Sequence, residues 1–384
     1  MRRELLGDED SQTASTMFEL ADLLGRMGDF PGGETLYREA LAIQRDLLGA
    51  ENAEVARSLE GLGLNLFDQG NTSDGVSLLR EAVAMQRKLH NGPHPDLAEA
   101  LNNLGFVTPD NKEAENLFRE ALAMKRVLYS NAPHPEIAMG LNNVAYTLHV
   151  ASEYKEAELL YREAIEMNRK LLGNDHPDIA MALNNLAFVI RQENDLDSTI
   201  EMARESLATY RRTLGDEHPS IARGMSNLAM WLLEDGDYEA AEPLLRESLE
   251  LRISLLGEEH SEVAGTKILL AGLLVDTGRN DEALEFAAAT REIDTREYGA
   301  DHWRTASAAA AEGAALASLG RPRRPKTVAA GYELLRSNTD ALPWFVNSAA
   351  RWRARSYITK GVAPRLLRCR NRSIAMSEKN SVKK

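Results

Sequence analysis

The sequence predicts an all-α solenoid built from antiparallel helix hairpins. The run HPDIAMALNNLA, which begins at His176, returns in altered form along most of the chain. Ala, Leu, Glu and Arg, which favour helices, dominate these runs, whereas aromatic residues make up 6% of the chain. No segment shows the two-residue alternation that is typical of strands. Internal repetition of this kind indicates stacked repeats rather than one globular core.

The interval between repeats is nearly constant. Histidine recurs in one phase, with steps of 40, 42, 42, 42 and 42 residues, at positions 94, 134, 176, 218, 260 and 302. Asn52 and Asp10 hold the same phase earlier in the chain. The spacing predicts seven complete repeats and a degraded eighth in residues 10–320, after the remnant of a preceding repeat in residues 1–9. Residues 321–384 are predicted to be a divergent basic tail, partly helical or disordered.

Each repeat is expected to contain two amphipathic helices, A and B. In the fifth repeat His176 or Asp175 is the predicted cap, Pro177 suits the first helical position, and helix A runs to about Arg191. Its predicted buried stripe is Leu183, Leu186, Ala187 and Ile190. Helix B is clearest in the fourth repeat, where Gly173 is the predicted stop. Its predicted inward residues are Ala157, Leu160, Tyr161, Ala164 and Leu171.

Two places depart from the repeat pattern. The third repeat is three residues short where helix A should end, and its Pro109 cannot lie inside a continuing helix, so a shortened helix A is expected. After Gly320 the pattern ends. Residues 327–337 could form another helix, but no good capping helix is recognisable beyond it.

These repeats resemble the tetratricopeptide repeat, specifically the 42-residue variety of kinesin light chains and related bacterial arrays. The small and large positions of that family's pattern are held in the fourth repeat by Leu141, Val144, Ala145, Leu148, Ala157, Tyr161 and Ala164. The resemblance covers roughly residues 4–320. It implies a right-handed superhelix in which helix A of each repeat lines a concave groove.

A ladder of asparagines on helix A is the candidate binding site. Successive residues of a helix are rotated by about 100°, and on this geometry the ladder residues point away from the buried stripe. The resemblance implies that such asparagines bind the backbone of an extended peptide, and an amide both donates and accepts hydrogen bonds. Neighbouring aromatic and methionine side chains would supply apolar pockets. The predicted groove consists of Asn102, Asn103, Phe106, Asn142, Asn143, Tyr146, Met181, Asn184, Asn185, Phe188, Arg223, Asn227 and Met230. Alternatively the asparagines bridge neighbouring helices, and the two roles are compatible.

The histidines invite a second interpretation as metal ligands, because acidic residues such as Asp175 and Glu217 precede them. Packed helices lie about 8 to 10 Å apart, and another helix separates equivalent ones, whereas zinc ligands lie about 2 Å from their ion. We therefore expect helix starts and no metal site. The sequence contains no GxSxG, P-loop or HExxH motif, so no enzyme activity, catalytic residue or cofactor is predicted.

The array and the tail carry opposite charge. Residues 321–384 contain 16 Lys/Arg and 3 Asp/Glu, a net charge of +13, and the remainder carries −27. The acidic array should prefer basic or neutral ligands. The tail includes the run RWRARSY from Arg351, followed by Arg365, Arg368, Arg370 and Arg372. Three interpretations of it stay open: contact with nucleic acid or anionic lipid, folding back on the acidic array, or a solvated tail without a task.

The sequence thus predicts a protein–protein interaction scaffold that binds an extended peptide segment. No apolar leader or spanning segment is present, so we expect a cytoplasmic protein without membrane contact. Nucleic acid is expected at most at the basic tail, and self-association is possible through uncapped array ends. The alternative is a detached regulatory or recognition part of a larger multidomain enzyme, such as a serine/threonine kinase, because the chain begins inside a half repeat.

Overall fold

A computed structural model describes residues 10–321, 326–338 and 343–358. These residues form seventeen α-helices joined by short connections, and they contain no strand. The all-α solenoid of helix hairpins is thereby confirmed. The chain divides into two units, Met1–Thr209 and Tyr210–Lys384. None of the described helices is long and apolar enough to cross a membrane.

The first unit contains five helices of type A, each followed by a helix of type B, and each helix packs mainly on the next one in the chain. The helices are α1 (Ser11–Arg26), α2 (Phe30–Leu48), α3 (Ala53–Asp68), α4 (Thr72–Leu89), α5 (Pro95–Val107), α6 (Asn111–Leu128), α7 (Pro135–Val150), α8 (Tyr154–Leu172), α9 (Pro177–Gln192) and α10 (Leu196–Leu214). The last of these extends into the second unit.

The second unit continues the alternation and then adds two helices. The helices are α11 (Pro219–Asp235), α12 (Tyr238–Leu256), α13 (Ser261–Thr277), α14 (Asn280–Tyr298), α15 (Trp303–Ser318), α16 (Lys326–Ser337) and α17 (Pro343–Ile358). The predicted remnant in residues 1–9 lies outside the described residues.

The periodic histidines are helix N-caps. In each of them Nδ1 accepts a hydrogen bond from the backbone N–H two residues later, at 3.1 to 3.3 Å. Asn52 and Asp10, which share the phase, cap α3 and α1 in the same way through side-chain oxygens. The prediction of a helix-start signature is confirmed, and in the fifth repeat the cap is His176 rather than Asp175. One orphan N–H of each A helix is thus satisfied locally.

We expect His176→Ala to lower the free energy of unfolding by about 1 kcal/mol, because the substitution leaves the Asp178 N–H without its acceptor. His176→Asn is the matched control, since the chain itself uses asparagine at position 52. Chemical denaturation of both variants checks this. Equal losses for alanine and asparagine would contradict a capping role.

The buried stripes agree with the helical periodicity, with one exception. Leu183, Leu186, Ala187 and Ile190 are all buried in α9, as are Ala157, Tyr161 and Ala164 in α8, whereas Leu160 is half-buried. The prediction for Leu171 is wrong, because this side chain is exposed. The buried face of α8 continues through Ile165 and ends at Asn168, so the last turn extends beyond the core.

Helix A of the third repeat is shortened, as predicted. Helix α5 has 13 residues, whereas α7 and α9 have 16 each. It ends before Thr108, whose hydroxyl donates to the Leu104 carbonyl at 2.6 Å. The backbone of Thr108 is extended, which is the conformation that a residue immediately before proline prefers.

Ion pairs connect successive B helices. Arg80 pairs with Glu113 at 2.9 Å, and Arg87 pairs with Glu120 at 2.8 Å, joining α4 to α6. The same arrangement joins α6 to α8 through Arg119 and Glu156. These side chains are largely exposed, so each pair contributes at most about 1 kcal/mol.

The helix α17 packs back onto the A helices of the second unit. Trp352 is buried, and its Nε1 donates to Asp276 Oδ1 on α13 at 3.0 Å, while Arg351 pairs with the same carboxylate at 2.8 Å. A Cβ at Gly272 would lie 2.3 Å from the Trp344 ring, so close packing there depends on glycine. The expected helix at 327–337 is confirmed as α16, whereas α17 was not anticipated. Arg365, Arg368, Arg370 and Arg372 lie outside the described residues.

Candidate binding site

The asparagine ladder of the first unit forms hydrogen bonds between successive A helices. Asn143 Nδ2 donates to Asn102 Oδ1 at 2.7 Å, and Asn185 Nδ2 donates to Asn142 Oδ1 at 3.5 Å. The bridging role that the sequence left open is therefore present. A bridge of this kind uses only part of the bonding capacity of two amides, each of which has two N–H groups and two lone pairs. Capacity for a ligand remains.

The predicted apolar contacts of the first unit differ in exposure. Phe106 is 67% exposed and Tyr146 is 55% exposed, and they hold the same phase in successive repeats. Phe188, which follows in that phase, is half-buried and lies 6.4 Å from the His149 ring. Met181, Asn184 and the two amides Asn103 and Asn185 are also half-buried, whereas Asn142 is buried. The A-helix face thus presents a row of two exposed aromatic rings beside amides.

Three predicted groove residues belong to the second unit. Arg223 is exposed, and its guanidinium donates to the Ser220 hydroxyl at 3.3 Å. Asn227 is half-buried, and Met230 is buried. The burial of Met230 leaves little of its side chain available to a ligand.

His90, His94 and Asp96 form a cluster whose ligand atoms lie within 4.8 Å of one another. The two imidazole rings are stacked, with centroids 3.4 Å apart and planes at 5°. Their in-plane lone pairs therefore point in parallel rather than toward one ion, and His94 Nδ1 already accepts the Asp96 N–H. Tyr129 stacks on the cap His134 in the same manner, at 3.5 Å. This arrangement is explained by packing of aromatic rings on helix caps.

A cavity of about 690 Å³ opens on the A-helix face of the first three repeats. Its walls come from α1, α3 and α5, with Tyr37 of α2 and Gln86 of α4 behind them. Acidic side chains dominate the lining: Asp22, Glu54, Glu60, Asp68, Asp96 and Glu99, against Arg26 and Arg57. Sequence reasoning centred the site on later repeats and did not anticipate this cavity.

Glu60 lies on the floor of the cavity and is 8% exposed. Burial raises the pKa of its carboxyl to about 7, and the charges of Glu99 and Asp96 act in the same direction. Hydrogen bonds from Asn103, at 3.2 Å, and from Gln86 partly oppose this rise in pKa. Burial also raises the pKa of Asp68. The only sequence signal was that Glu60 occupies the place that Asn102 holds one repeat later.

Structural similarity agrees with this architecture. The apo quorum sensor NprR from B. thuringiensis has a TM-score of 0.60 at 14% identity, covering 85% of this chain and 88% of that protein. A Rap protein complexed with Competence and Sporulation Factor has a TM-score of 0.54 at 15% identity, covering 91% and 98%. BtubC (BKLC) from P. vanneervenii has a TM-score of 0.47 at 20% identity, covering 64% and 91%. At these identities the similarity to NprR and to the Rap protein concerns the fold alone.

Sequence comparison gives a more specific result. A comparison with curated proteins finds no match. A tetratricopeptide repeat family model matches residues 12–88, 54–126 and 178–254, and a second model of the same description matches residues 137–178. Together the matches cover residues 12–126 and 137–254, which is more than half of the chain, so this chain belongs to the tetratricopeptide repeat family.

Proposed function

We propose that the chain is a protein-interaction scaffold whose A-helix face binds an extended peptide segment of a partner protein. Membership of the tetratricopeptide repeat family supports the scaffold, because this fold is generally a non-catalytic repeat platform. The observation that carries the peptide proposal is the row formed by Phe106 and Tyr146, which are more than half exposed beside the bridging amides.

The geometry supplies two complementary kinds of contact. The amides of Asn102 and Asn143 bind each other and retain donors and acceptors for a peptide backbone, which has one of each per residue. The exposed rings gain free energy when they are covered, by about 25 cal/mol per Å² of apolar surface removed from water. Backbone contacts would supply affinity without demanding one sequence, and the rings would select apolar side chains. Nothing in the described residues favours a detached part of a larger enzyme over this scaffold.

The acidic charge of the array adds a preference among peptides. Residues 1–320 carry a net charge of −27. We propose that basic or neutral segments are therefore favoured and that binding weakens as salt is raised, because exposed charges are screened.

We expect Tyr146→Ala and Phe106→Ala each to weaken binding about tenfold, since truncating an aromatic anchor typically costs more than 1 kcal/mol. The partner would first be captured with the full chain, and a synthetic peptide from it would then be titrated calorimetrically. Asn143→Ala combined with Asn185→Ala tests the backbone contacts in the same assay.

Leu159→Ala is the matched control, because Leu159 is an equally exposed apolar side chain on helix B of the fourth repeat. The Leu159→Ala variant should bind the synthetic peptide as tightly as the unaltered chain does. If the groove variants keep their fold and bind as tightly as this control, the A-helix face is not the binding surface.

A further inference from the structure

The cavity around Glu60 has an excess of negative charge that its own arginines do not neutralise. Asp22 and Arg26 form an ion pair at 2.7 Å, so these two charges cancel. The guanidinium of Arg57 lies 4.4 Å over the Phe18 ring, at the side of the cavity. Glu54, Asp68, Asp96 and Glu99 remain around the buried Glu60.

The floor of the cavity holds two buried acceptors that no cation satisfies. Among the described residues, no lysine or arginine forms an ion pair with Glu60. Gln86 is 1% exposed, and its Oε1 has no hydrogen-bond partner within the described part of the chain. Buried acceptors are nearly always bonded in folded proteins, because desolvation without a donor is costly. Gln86 Oε1 therefore points to a donor that enters from outside, beside a Glu60 carboxyl that has amide donors but no cationic partner in the part of the chain that the structure describes.

The repeat pattern explains why these acceptors occur at this place. In successive repeats the ladder asparagines Asn143 and Asn103 each donate to the first ladder position of the preceding repeat. For Asn103 that position is Glu60, so the row of amides ends on a carboxylate. Gly61 holds the second ladder position of this repeat and has no side chain to donate further. The Glu60 side chain lines the cavity at the end of this row.

We propose that this cavity binds the ammonium group of a lysine side chain carried by the peptide in the groove. The inference rests on the proposed function, because it names a residue of the same ligand. An ammonium group has three donors, and the acceptor-bearing side chains of Glu60, Gln86 and Glu99 line one cavity. Phe18, Tyr37 and Leu64 supply apolar wall for the methylene stem. We favour lysine over arginine, because a guanidinium binds a carboxylate best through both of its oxygens. One Glu60 oxygen already accepts a hydrogen bond from Asn103.

Protonation of Glu60 gives the proposal a second measurable consequence. Asn103 and Gln86 donate hydrogen bonds to the Glu60 carboxyl, and the charges of Glu99 and Asp96 of α5 act on it. The other charged or titratable groups that line the cavity are Asp22 and Arg26 of α1, Tyr37 of α2, and Glu54, Arg57 and Asp68 of α3. An arriving cation favours the ionised carboxylate, so it lowers the pKa from about 7. Binding near neutral pH should therefore release protons.

The experiment uses the full chain and a fluorescein-labelled peptide of four alternating glycine and lysine pairs, acetylated and amidated. Anisotropy gives its affinity for the unaltered chain, for Glu60→Gln and for Asp46→Asn. Asp46 is an exposed acid of α2 outside the cavity, so its substitution changes the net charge equally. Spermidine is titrated in parallel as a free polyamine. Calorimetry in two buffers of different ionisation enthalpy measures proton release.

We expect Glu60→Gln to weaken peptide binding at least tenfold and to abolish proton release, and Asp46→Asn to change the affinity less than threefold. Equal small effects of the two variants would overturn the lysine pocket and leave nonspecific attraction to an acidic surface. Failure of the unaltered chain to bind the peptide would overturn it as well. Glu60-dependent binding of spermidine without the peptide would assign the cavity to free polyamines instead. The groove itself is judged separately by Tyr146→Ala and Phe106→Ala, which lie outside the cavity lining.

Discussion

Replacing Glu60 by glutamine is expected to stabilise the first unit above pH 7 and to remove a pH dependence that the unaltered chain shows. The Glu60 carboxyl has its pKa raised from 4.5 to about 7, mainly by burial. Below both values the carboxyl is neutral in the folded and unfolded chain. As the pH rises from about 4.5 to about 7, the unfolded chain releases this proton while the folded chain retains it. The free energy of unfolding therefore falls across this window and is constant above it.

The expected size of the effect is of the order of 3 kcal/mol, because each unit of pKa difference corresponds to about 1.4 kcal/mol. Glutamine keeps an acceptor for Asn103 but carries no charge, so Glu60→Gln should be insensitive to pH in this window and more stable than the unaltered chain at pH 8. Repeat arrays can unfold in parts. Hydrogen exchange of the α3 amides, corrected for intrinsic exchange rates, therefore reports the relevant stability better than a global transition.

The matched control for this prediction is Asp46→Asn, which changes the same charge at an exposed position. It should leave the pH profile of α3 unaltered. If the stability of α3 depends on pH between 5 and 8 in the same way in Glu60→Gln and in the unaltered chain, the Glu60 carboxyl is not the group that titrates in this window. A stabilising substitution that abolishes lysine binding would show that Glu60 lowers stability in return for ligand recognition, as polar groups in binding sites often do.

Substitution of Trp352 is expected to cause a large loss of stability in the second unit. This indole is 2% exposed, and its N–H donates to the buried Asp276 carboxylate. Trp352→Ala should lower the free energy of unfolding of the second unit by about 3 to 5 kcal/mol, since it empties a buried volume and removes a donor from a buried acceptor. Chemical denaturation, together with limited proteolysis after α15, measures the loss of stability and the release of α17.

Trp352→Phe separates the two causes. Phenylalanine retains most of the ring packing and lacks the N–H, so its cost should be about 1 to 3 kcal/mol. Gly272→Ala provides an independent probe, because a Cβ there would lie 2.3 Å from the Trp344 ring and should displace α17. If Trp352→Ala and Gly272→Ala both leave α17 as protected as before, the helix is not held by the contacts that the structure shows.

The repeat interval and the caps depend on residues within a single repeat, and for this reason the sequence predicted them well. A cap such as His176 bonds a backbone N–H two residues away, and the shortening of α5 follows from the residues around Pro109. The exposure of Leu171 was predicted wrongly. Periodicity gives the direction in which a side chain points, but it does not tell where a neighbouring helix ends.

The groove was predicted in part. The sequence placed Asn102 and Asn143 on the face opposite the buried stripe, and the structure shows them bonded to each other across two repeats. Contact of these residues with a peptide stays a prediction. Met230 was assigned to the same surface because it holds the repeat position of Phe106 and Tyr146, but its side chain is buried. The position within the repeat does not tell whether a neighbouring helix covers a side chain.

The sequence by itself determined that this chain is an array of helix hairpins with capped A helices, since those features arise from local bonding and a fixed period. Only the tertiary structure decided which polar groups are buried. Glu60 meets Asn103 from the following A helix and Gln86 from the adjoining B helix, and Trp352 reaches Asp276 far back in the chain. The solvation of a charge depends on all the atoms packed around it, and those atoms come from segments that no single repeat contains.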